Sequence, residues 1–151
     1  MPKYYIQKFR APVCAPIAIY NLLQWRNNSN RININMLEKL TEQCKVDLYR
    51  THGSEYKNVV KTLKHYFPEA KYLSKVTPDI VKELIKQKKV VLCFLDPEYG
   101  DDFTVGHMMP VLGISKDKYI TPNGMADEMS YPLLEYYMKN RRVYGYVIDA
   151  E

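Results

Sequence analysis

The sequence predicts an α+β domain, in which helices occupy the chain up to Lys89 and antiparallel strands follow. In the first part, apolar residues recur at intervals of three and four, as they do along one face of a helix. After Lys89 they gather into short runs that are typical of buried strands. The length of 151 residues fits one domain, and no repeat, linker or low-complexity tract divides it. We therefore expect a single domain over residues 1–151.

The first helix is predicted to begin close to Cys14, within the stretch FRAPVCAPIAIYNLLQW. Pro16 suits the first turn, where the N–H that it lacks is not needed. The apolar positions that form one predicted buried stripe are Ala15, Ala18, Ile19, Leu22 and Leu23.

Three more helices are predicted from their start signals. Asn35 resembles an N-cap, with Glu38 three residues later, and the Gly53-Ser54 pair precedes another apolar face. Thr77 resembles a cap with Pro78 at the first helical position. The expected strands are 90–95, 107–114, 117–121 and 143–149, with a short helix or irregular turn at 132–140. Pro110 indicates that its strand lies at an edge, or is bulged or interrupted there.

The charge and the start of the sequence exclude several classes of protein. The net charge of +5 comes mostly from lysines spread over predicted helix faces, without an arginine–aromatic cluster, so we expect no nucleic-acid partner. No apolar signal segment follows Met1, and no run is long enough to span a bilayer. We expect a cytoplasmic protein that does not associate with a membrane.

The cysteines are three in number, without the spacing of a metal site, which argues against a disulfide framework and indicates a reducing compartment. Cys44 and Cys93 lie on predicted apolar faces, where cysteine usually packs as a small hydrophobic residue. Cys14 differs, because unpaired N–H groups at a helix N-terminus favour a thiolate. We expect neither a metal nor a cofactor.

A cysteine nucleophile requires a base, and the chain has three histidines. His65 lies in a lysine-rich predicted helix and is expected at the surface, and His52 lies in a loop without an obvious partner. His107 begins a predicted strand directly after the acidic loop DPEYGDDFTVG, which is a favourable place for a catalytic imidazole.

The order of these motifs resembles the papain-like cysteine peptidase superfamily. It is most similar to the bacteriocin-processing (double-glycine) peptidase domains and their free-standing relatives. The motifs are Gln7, VCAPIAIYNLLQW, HGSEYKNVVKTLKHY, VTPDIVKELIKQKKVVLCFL, GHMMPVLGI and KYITPNG, and they cover nearly the whole chain in order. The resemblance implies a papain-like fold, with N-terminal helices packed on a C-terminal antiparallel sheet.

The resemblance also implies roles for individual residues. Cys14 would be the nucleophile, His107 the base, and Gln7 a donor to the oxyanion beside the N–H of Cys14. Relatives commonly have DCG at the nucleophile and DP after the next strand, whereas this chain has VCA and Thr121-Pro122. A threonine or an amide oxygen can still accept the Nδ1–H bond of the histidine, and we favour Asn123 over Thr121 for that task.

Three hypotheses about function follow. The first is a cysteine hydrolase that cleaves a peptide or amide bond of a peptide or protein through an acyl-enzyme, with deamidase and acyltransferase activity as variants on the same machinery. The second is a catalytically degenerate binding module that keeps the fold, since both the residue after Cys14 and the residue before Pro122 depart from the family pattern. The third is a basic nucleic-acid-binding domain, which rests on net charge alone.

Overall fold

The computed structural model of the protein describes residues 2–6, 14–46, 56–95, 107–122 and 128–150; for His107 and residues 128–133 it describes the backbone alone. The helices in these ranges are α1 Cys14–Asn27, α2 Ile34–Gln43, α3 Tyr56–Tyr66, α4 Pro78–Lys86 and α5 Tyr131–Asn140. The strands are β1 Lys71–Leu73, β2 Lys89–Leu95, β3 His107–Val111, β4 Gly113–Ser115, β5 Lys118–Ile120, β6 Glu128–Ser130 and β7 Val143–Asp149. None of the helices in the described ranges is long and apolar enough to cross a membrane.

The strands form two antiparallel sheets. The larger has the order β1-β7-β2-β3, and the smaller has the order β4-β5-β6. The α+β class is therefore confirmed, and β3 lies at an edge, as Pro110 predicted. The single strand expected over 107–114 was wrong, because it divides at Leu112 into β3 and β4. The N–H of Leu112 donates to the carbonyl of Ile120 at 2.9 Å, so the chain leaves the larger sheet at this residue.

The strand β2 is buried on both faces, which explains its uninterrupted apolar sequence. Its alternate residues Val90, Leu92 and Phe94 contribute to a core that includes residues of α1, α2 and α3. The residues between them contribute to a second core that includes residues of α4 and α5. The N-terminal helices thus pack on the antiparallel sheet, as expected, and α4 and α5 contribute to the core on its other face.

One helix start was predicted correctly and another was not. The Thr77 hydroxyl accepts the N–H of Ile80 at 3.3 Å, so it caps α4 as expected. The cap of α2 is Asn33 rather than Asn35, because the Asn33 side chain accepts the N–H of Met36 at 3.1 Å. The N–H of Asn33 itself donates to the Tyr20 hydroxyl at 2.7 Å, a tertiary contact that fixes this residue outside the helix. The predicted start at Gly53-Ser54 lies outside the described residues.

The helix α1 is buried on most of its sides. Its predicted stripe is buried, with Leu23 only partly so, but Ile17, Tyr20, Asn21 and Gln24 are buried as well. The expectation of a single buried stripe was therefore wrong. The reason is that α1 packs against β3, α2 and α3 at once. A single buried stripe is too narrow to contact three neighbouring elements. This central helix carries Cys14 at its first residue.

Candidate active site

Cys14 lies where the first turn of α1 meets the beginning of β3. Its side chain is partly exposed, whereas the residues behind it, from Ala15 to Leu22, are buried. The sulfur interacts with backbone groups of Met108, of Ala15 and of Cys14 itself. Met108 directly follows His107 in the chain, so the thiol lies against the strand that begins with the candidate base.

The protonation of Cys14 is governed by two opposing effects. Burial raises the pKa of the thiol, and this is the larger effect. Backbone hydrogen bonds from Met108, Ala15 and Cys14 lower it, because N–H groups stabilise the thiolate. The helix N-terminus does not outweigh burial, contrary to the expectation from sequence. A thiolate at this position therefore needs a further positive partner.

His107 is the first residue of β3, as the sequence predicted. In the register of the sheet it lies opposite Leu95, the last residue of β2. The next residue, Met108, belongs to the core that β3 shares with α1, so the start of this edge strand is anchored beside the helix. The backbone thus brings the positions of the two main candidate residues to the same end of the α1–β3 contact.

The segment after β5 contacts α1 at Asn21, seven residues after Cys14. Thr121 is completely buried, and its hydroxyl has no hydrogen-bond partner among the described residues. The carbonyl of Pro122 accepts a hydrogen bond at 3.3 Å from the side-chain amide of Asn21 on α1. Gln7 and Asn123 lie outside the described residues; the described chain stops one residue before each of them.

Asn21, which joins the candidate helix to two other segments, was missed by the sequence analysis. Its Oδ1 accepts the N–H of Tyr5 at 2.9 Å, and its Nδ2 donates to the carbonyl of Tyr5 at 3.1 Å as well as to Pro122. The sequence does contain a signal for it, namely an asparagine within an apolar helical run, which must find hydrogen-bond partners if it is buried. The expectation of one buried stripe placed Asn21 outside it.

The remaining thiols and the described imidazole agree with their predicted roles. Cys44 and Cys93 are fully buried, and burial is the main cause that raises their pKa values to about 11 and about 12. His65 is exposed, and its ring contacts the edge of Tyr66. His52 lies outside the described residues. Within the described ranges, no group of three His, Cys, Asp or Glu side chains is arranged to hold a metal ion.

No protein-family profile and no curated protein sequence matches the chain. Solved structures do share its fold. The peptidase domain of Streptococcus ComA, a bifunctional ABC transporter of a quorum-sensing pathway, matches with a TM-score of 0.63 at 13% identity, over 95% of this chain and 96% of the other. A double glycine motif protease from an AMS/PCAT transporter, solved in complex with the leader peptide, matches with a TM-score of 0.54 at 16% identity, over 98% and 90%.

A third structure points the same way. A crystal structure described as that of a C39-like peptidase from Bacillus anthracis matches with a TM-score of 0.60 at 12% identity, over 93% of this chain and 92% of the other. At these identities the likeness shows the fold alone. The fold of this chain is that of the double-glycine peptidase domains, and the resemblance found in the sequence is confirmed at that level.

Proposed function

We propose that this protein is a cysteine peptidase in which Cys14 is the nucleophile and His107 the base. The observation that carries the proposal is the contact of the Cys14 sulfur with the backbone of Met108, the residue next to His107. A nucleophile at a helix N-terminus and a histidine at the start of the adjacent strand are the two parts that thiol catalysis requires. The shared fold of the peptidase domains described above supports the same conclusion.

The raised pKa of Cys14 gives His107 a defined task. Transfer of the thiol proton to the imidazole would form a thiolate–imidazolium pair, in which opposite charges offset the cost of burying the thiolate. The thiolate then attacks the scissile carbonyl carbon, and the imidazolium returns its proton to the leaving amine. Water hydrolyses the resulting thioester with the imidazole again acting as base, which regenerates Cys14.

The oxyanion that forms during attack needs hydrogen-bond donors. In the proposal these are the backbone N–H of Cys14 and the side-chain amide of Gln7. As the first residue of α1, Cys14 has an N–H without an acceptor inside the helix, because a helical N–H donates to the carbonyl four residues earlier in the chain. That backbone group also lowers the pKa of its own thiol, which supports its proposed place beside the reacting sulfur.

The residue that orients His107 is uncharged in this proposal. Asn123 remains the favoured partner for the imidazole Nδ1–H. The completely buried Thr121 hydroxyl, without a partner among the described residues, supports Thr121 as the alternative. A neutral partner stabilises the imidazolium less than an aspartate would, and we therefore expect modest turnover.

A peptide is the proposed substrate, because a structure with the same fold is a double glycine motif protease in complex with a leader peptide. A peptide with two glycines before the scissile bond is the first substrate to examine. A matched peptide with both glycines replaced by valine is the control. Cleavage after the glycine pair, lost in Cys14→Ala and in His107→Ala, is the expected result.

Selective alkylation tests the proposed nucleophile without any substrate. Iodoacetamide at pH 6 followed by peptide mapping should modify Cys14 and leave Cys44 and Cys93 unmodified, because the latter are buried with strongly raised pKa values. His107→Ala should slow the modification of Cys14, since the imidazolium no longer stabilises the thiolate. Equal reactivity of Cys14 in both proteins would contradict the proposed pair.

A non-catalytic binding module is the second candidate. It is favoured by the pKa of Cys14, which the described surroundings raise, and by the uncharged residue at position 121. This candidate predicts that the double-glycine peptide binds but stays intact, and that Cys14 is not alkylated at pH 6.

A further inference from the structure

Asn21 is the one asparagine side chain in the described chain that is completely buried, and it lies inside the helix that carries Cys14. Burial of an amide is costly unless its polar atoms find partners. Here the oxygen accepts one hydrogen bond and the nitrogen donates two, at 2.9, 3.1 and 3.3 Å. Both donor hydrogens and the acceptor are therefore used.

The position of Asn21 relates it to the candidate nucleophile. Asn21 follows Cys14 by seven residues, so both side chains lie on the same face of α1, about two turns or ~10 Å apart. The hydrogen bonds of Asn21 join this face to two other parts of the chain, at Tyr5 and at Pro122. These three segments are far apart in sequence and meet at one amide.

Both partner segments lead directly to proposed site residues. Tyr5 precedes Gln7 by two residues, a separation that the chain spans in at most ~7 Å. Pro122 lies between Thr121 and Asn123, the two candidates for orienting His107. A shift of either anchor would therefore move a proposed catalytic group relative to the Cys14 sulfur.

A second buried amide on the same helix offers a comparison. Gln24, which is 6% exposed, donates to the carbonyls of Lys3 and Arg31 at 2.9 and 2.8 Å. It also holds backbone against α1, yet it has no hydrogen bond to the 121–122 segment. Gln24 thus resembles Asn21 in chemistry and burial and holds the same N-terminal segment at Lys3, but the bonds to Tyr5 and Pro122 belong to Asn21 alone of the two.

We propose that Asn21 is a positioning residue, which holds the segments preceding Gln7 and Asn123 in register with Cys14. This inference rests on the proposed cysteine peptidase function. In this role Asn21 touches no reacting atom, and it acts through the backbone at Tyr5 and Pro122. A displacement of about 1 Å in such groups can slow catalysis by about 10²-fold.

Two substitutions remove the amide in different ways. Asn21→Leu has a similar size and removes all three hydrogen bonds. Asn21→Asp has nearly the same volume and keeps an acceptor for the N–H of Tyr5, but it loses both donors and places an oxygen against the carbonyl of Pro122. The Asp variant serves if the Leu variant does not fold, and Gln24→Leu is the matched control.

The experiment combines a structural readout with two functional ones. Hydrogen exchange of the Tyr5 amide reports whether the segment is still held, since that N–H is bonded to Asn21. The pH dependence of Cys14 alkylation reports the thiolate, and cleavage of the double-glycine peptide gives kcat and KM. Thermal unfolding of each variant separates these readouts from general loss of stability.

We expect kcat of Asn21→Asp and Asn21→Leu to fall about 10- to 100-fold with little change in KM. The alkylation midpoint of Cys14 should move to higher pH, because an imidazolium held less firmly stabilises the thiolate less. Gln24→Leu should show neither change, even where its loss of thermal stability equals that of the Asn21 variants.

Two outcomes would overturn the positioning role while the peptidase stands. One is loss of Tyr5 protection in the Asn21 variants with kcat and the alkylation midpoint unchanged. The other is an equal loss of kcat in Gln24→Leu, which would indicate general destabilisation. If wild-type protein neither cleaves the peptide nor shows selective alkylation of Cys14, the proposed function fails and the role of Asn21 fails with it.

Discussion

The three thiols of this protein show how burial and backbone contacts determine reactivity residue by residue. Cys44 and Cys93 are fully buried, and their pKa values rise to about 11 and about 12. Cys14 is partly exposed and receives backbone hydrogen bonds that lower its pKa, although burial still has the larger effect. A partly exposed thiol that its described surroundings do not ionise is suited to activation by a neighbouring base.

The buried Cys93 thiol should make the protein less stable at alkaline pH. Its pKa in the folded protein, about 12, lies above the ordinary value of 9.0. The unfolded chain therefore releases this proton first, and the stabilising contribution is complete below pH 9 and is lost as the pH rises toward 12. Urea unfolding in reductant at pH 8, 9.5 and 10.5 should show this decline.

Cys93→Ala tests the origin of that decline. The variant is expected to be less stable at pH 8, because a buried sulfur is removed, but its stability should fall less between pH 8 and pH 10.5. An unchanged slope would assign the decline to other groups, among which Tyr56 also has a raised pKa.

The residue that orients His107 can be identified by two volume-conserving changes. Thr121→Val removes a buried hydroxyl and keeps its shape, whereas Asn123→Leu removes an amide. If Asn123 accepts the imidazole Nδ1–H, as we expect, Asn123→Leu should reduce kcat by at least about tenfold and Thr121→Val should leave it nearly unchanged. Turnover of one peptide by both variants decides between them, and a reversed pattern would assign the role to Thr121.

At the scale of elements, the contact between β2 and β7 depends on a glycine. Gly145 of β7 is paired with Cys93 of β2, and a Cβ atom at position 145 would collide with the backbone carbonyl of Leu92. The backbone of a central strand cannot move aside without breaking the ladders on both of its sides. Gly145 therefore allows the two longest strands to lie side by side.

Gly145→Ala should destabilise the protein by about 3 kcal/mol, which corresponds to a fall in Tm of about 10 °C for a domain of this size. Gly113→Ala is the matched control, since its methyl group would lie 3.3 Å from the Cδ1 atom of Ile120, the end of a flexible side chain. Its Tm should change by only about 1–3 °C. Equal shifts in the two variants, measured by calorimetry, would contradict this reading of Gly145.

At the scale of the whole molecule, both cores share one strand. Val90, Leu92 and Phe94 contribute to the core with α1, and the alternate residues of β2 contribute to the core with α4 and α5. Loss of β2 would expose both cores at once. The described parts of the chain are therefore expected to unfold together, as a single domain would.

Coincident unfolding curves would test this expectation. Trp25, the only tryptophan, is packed against the core on the α1 side, so its fluorescence reports that core. Far-UV circular dichroism reports the helices and strands of both sides. The two urea transitions should have the same midpoint and slope. A fluorescence transition at lower urea would indicate that the α1 side unfolds on its own.

The sequence by itself determined the helix that begins at Cys14, the cap at Thr77, the strand at 143–149 and the α+β class. These features follow from local signals, namely apolar periodicity, capping residues and proline positions. It also indicated Cys14 and His107 as candidates, because a cysteine at the start of a helix and a histidine at the start of a strand are suited to thiol chemistry. The roles of Gln7 and Asn123 came from family resemblance and stay predictions.

Only the tertiary structure decided which sides of α1 are buried, where α2 begins and where the strand after His107 ends. The start of α2 depends on Tyr20, which lies in another helix, and the break at Leu112 depends on Ile120, which lies in another strand. The short strands β1 and β6 have too few residues to show a period, and the pairing of their backbones with neighbours defines them. The joining of Tyr5 and Pro122 by Asn21 is likewise a non-local arrangement, because one buried amide satisfies backbone groups that local sequence cannot bring together.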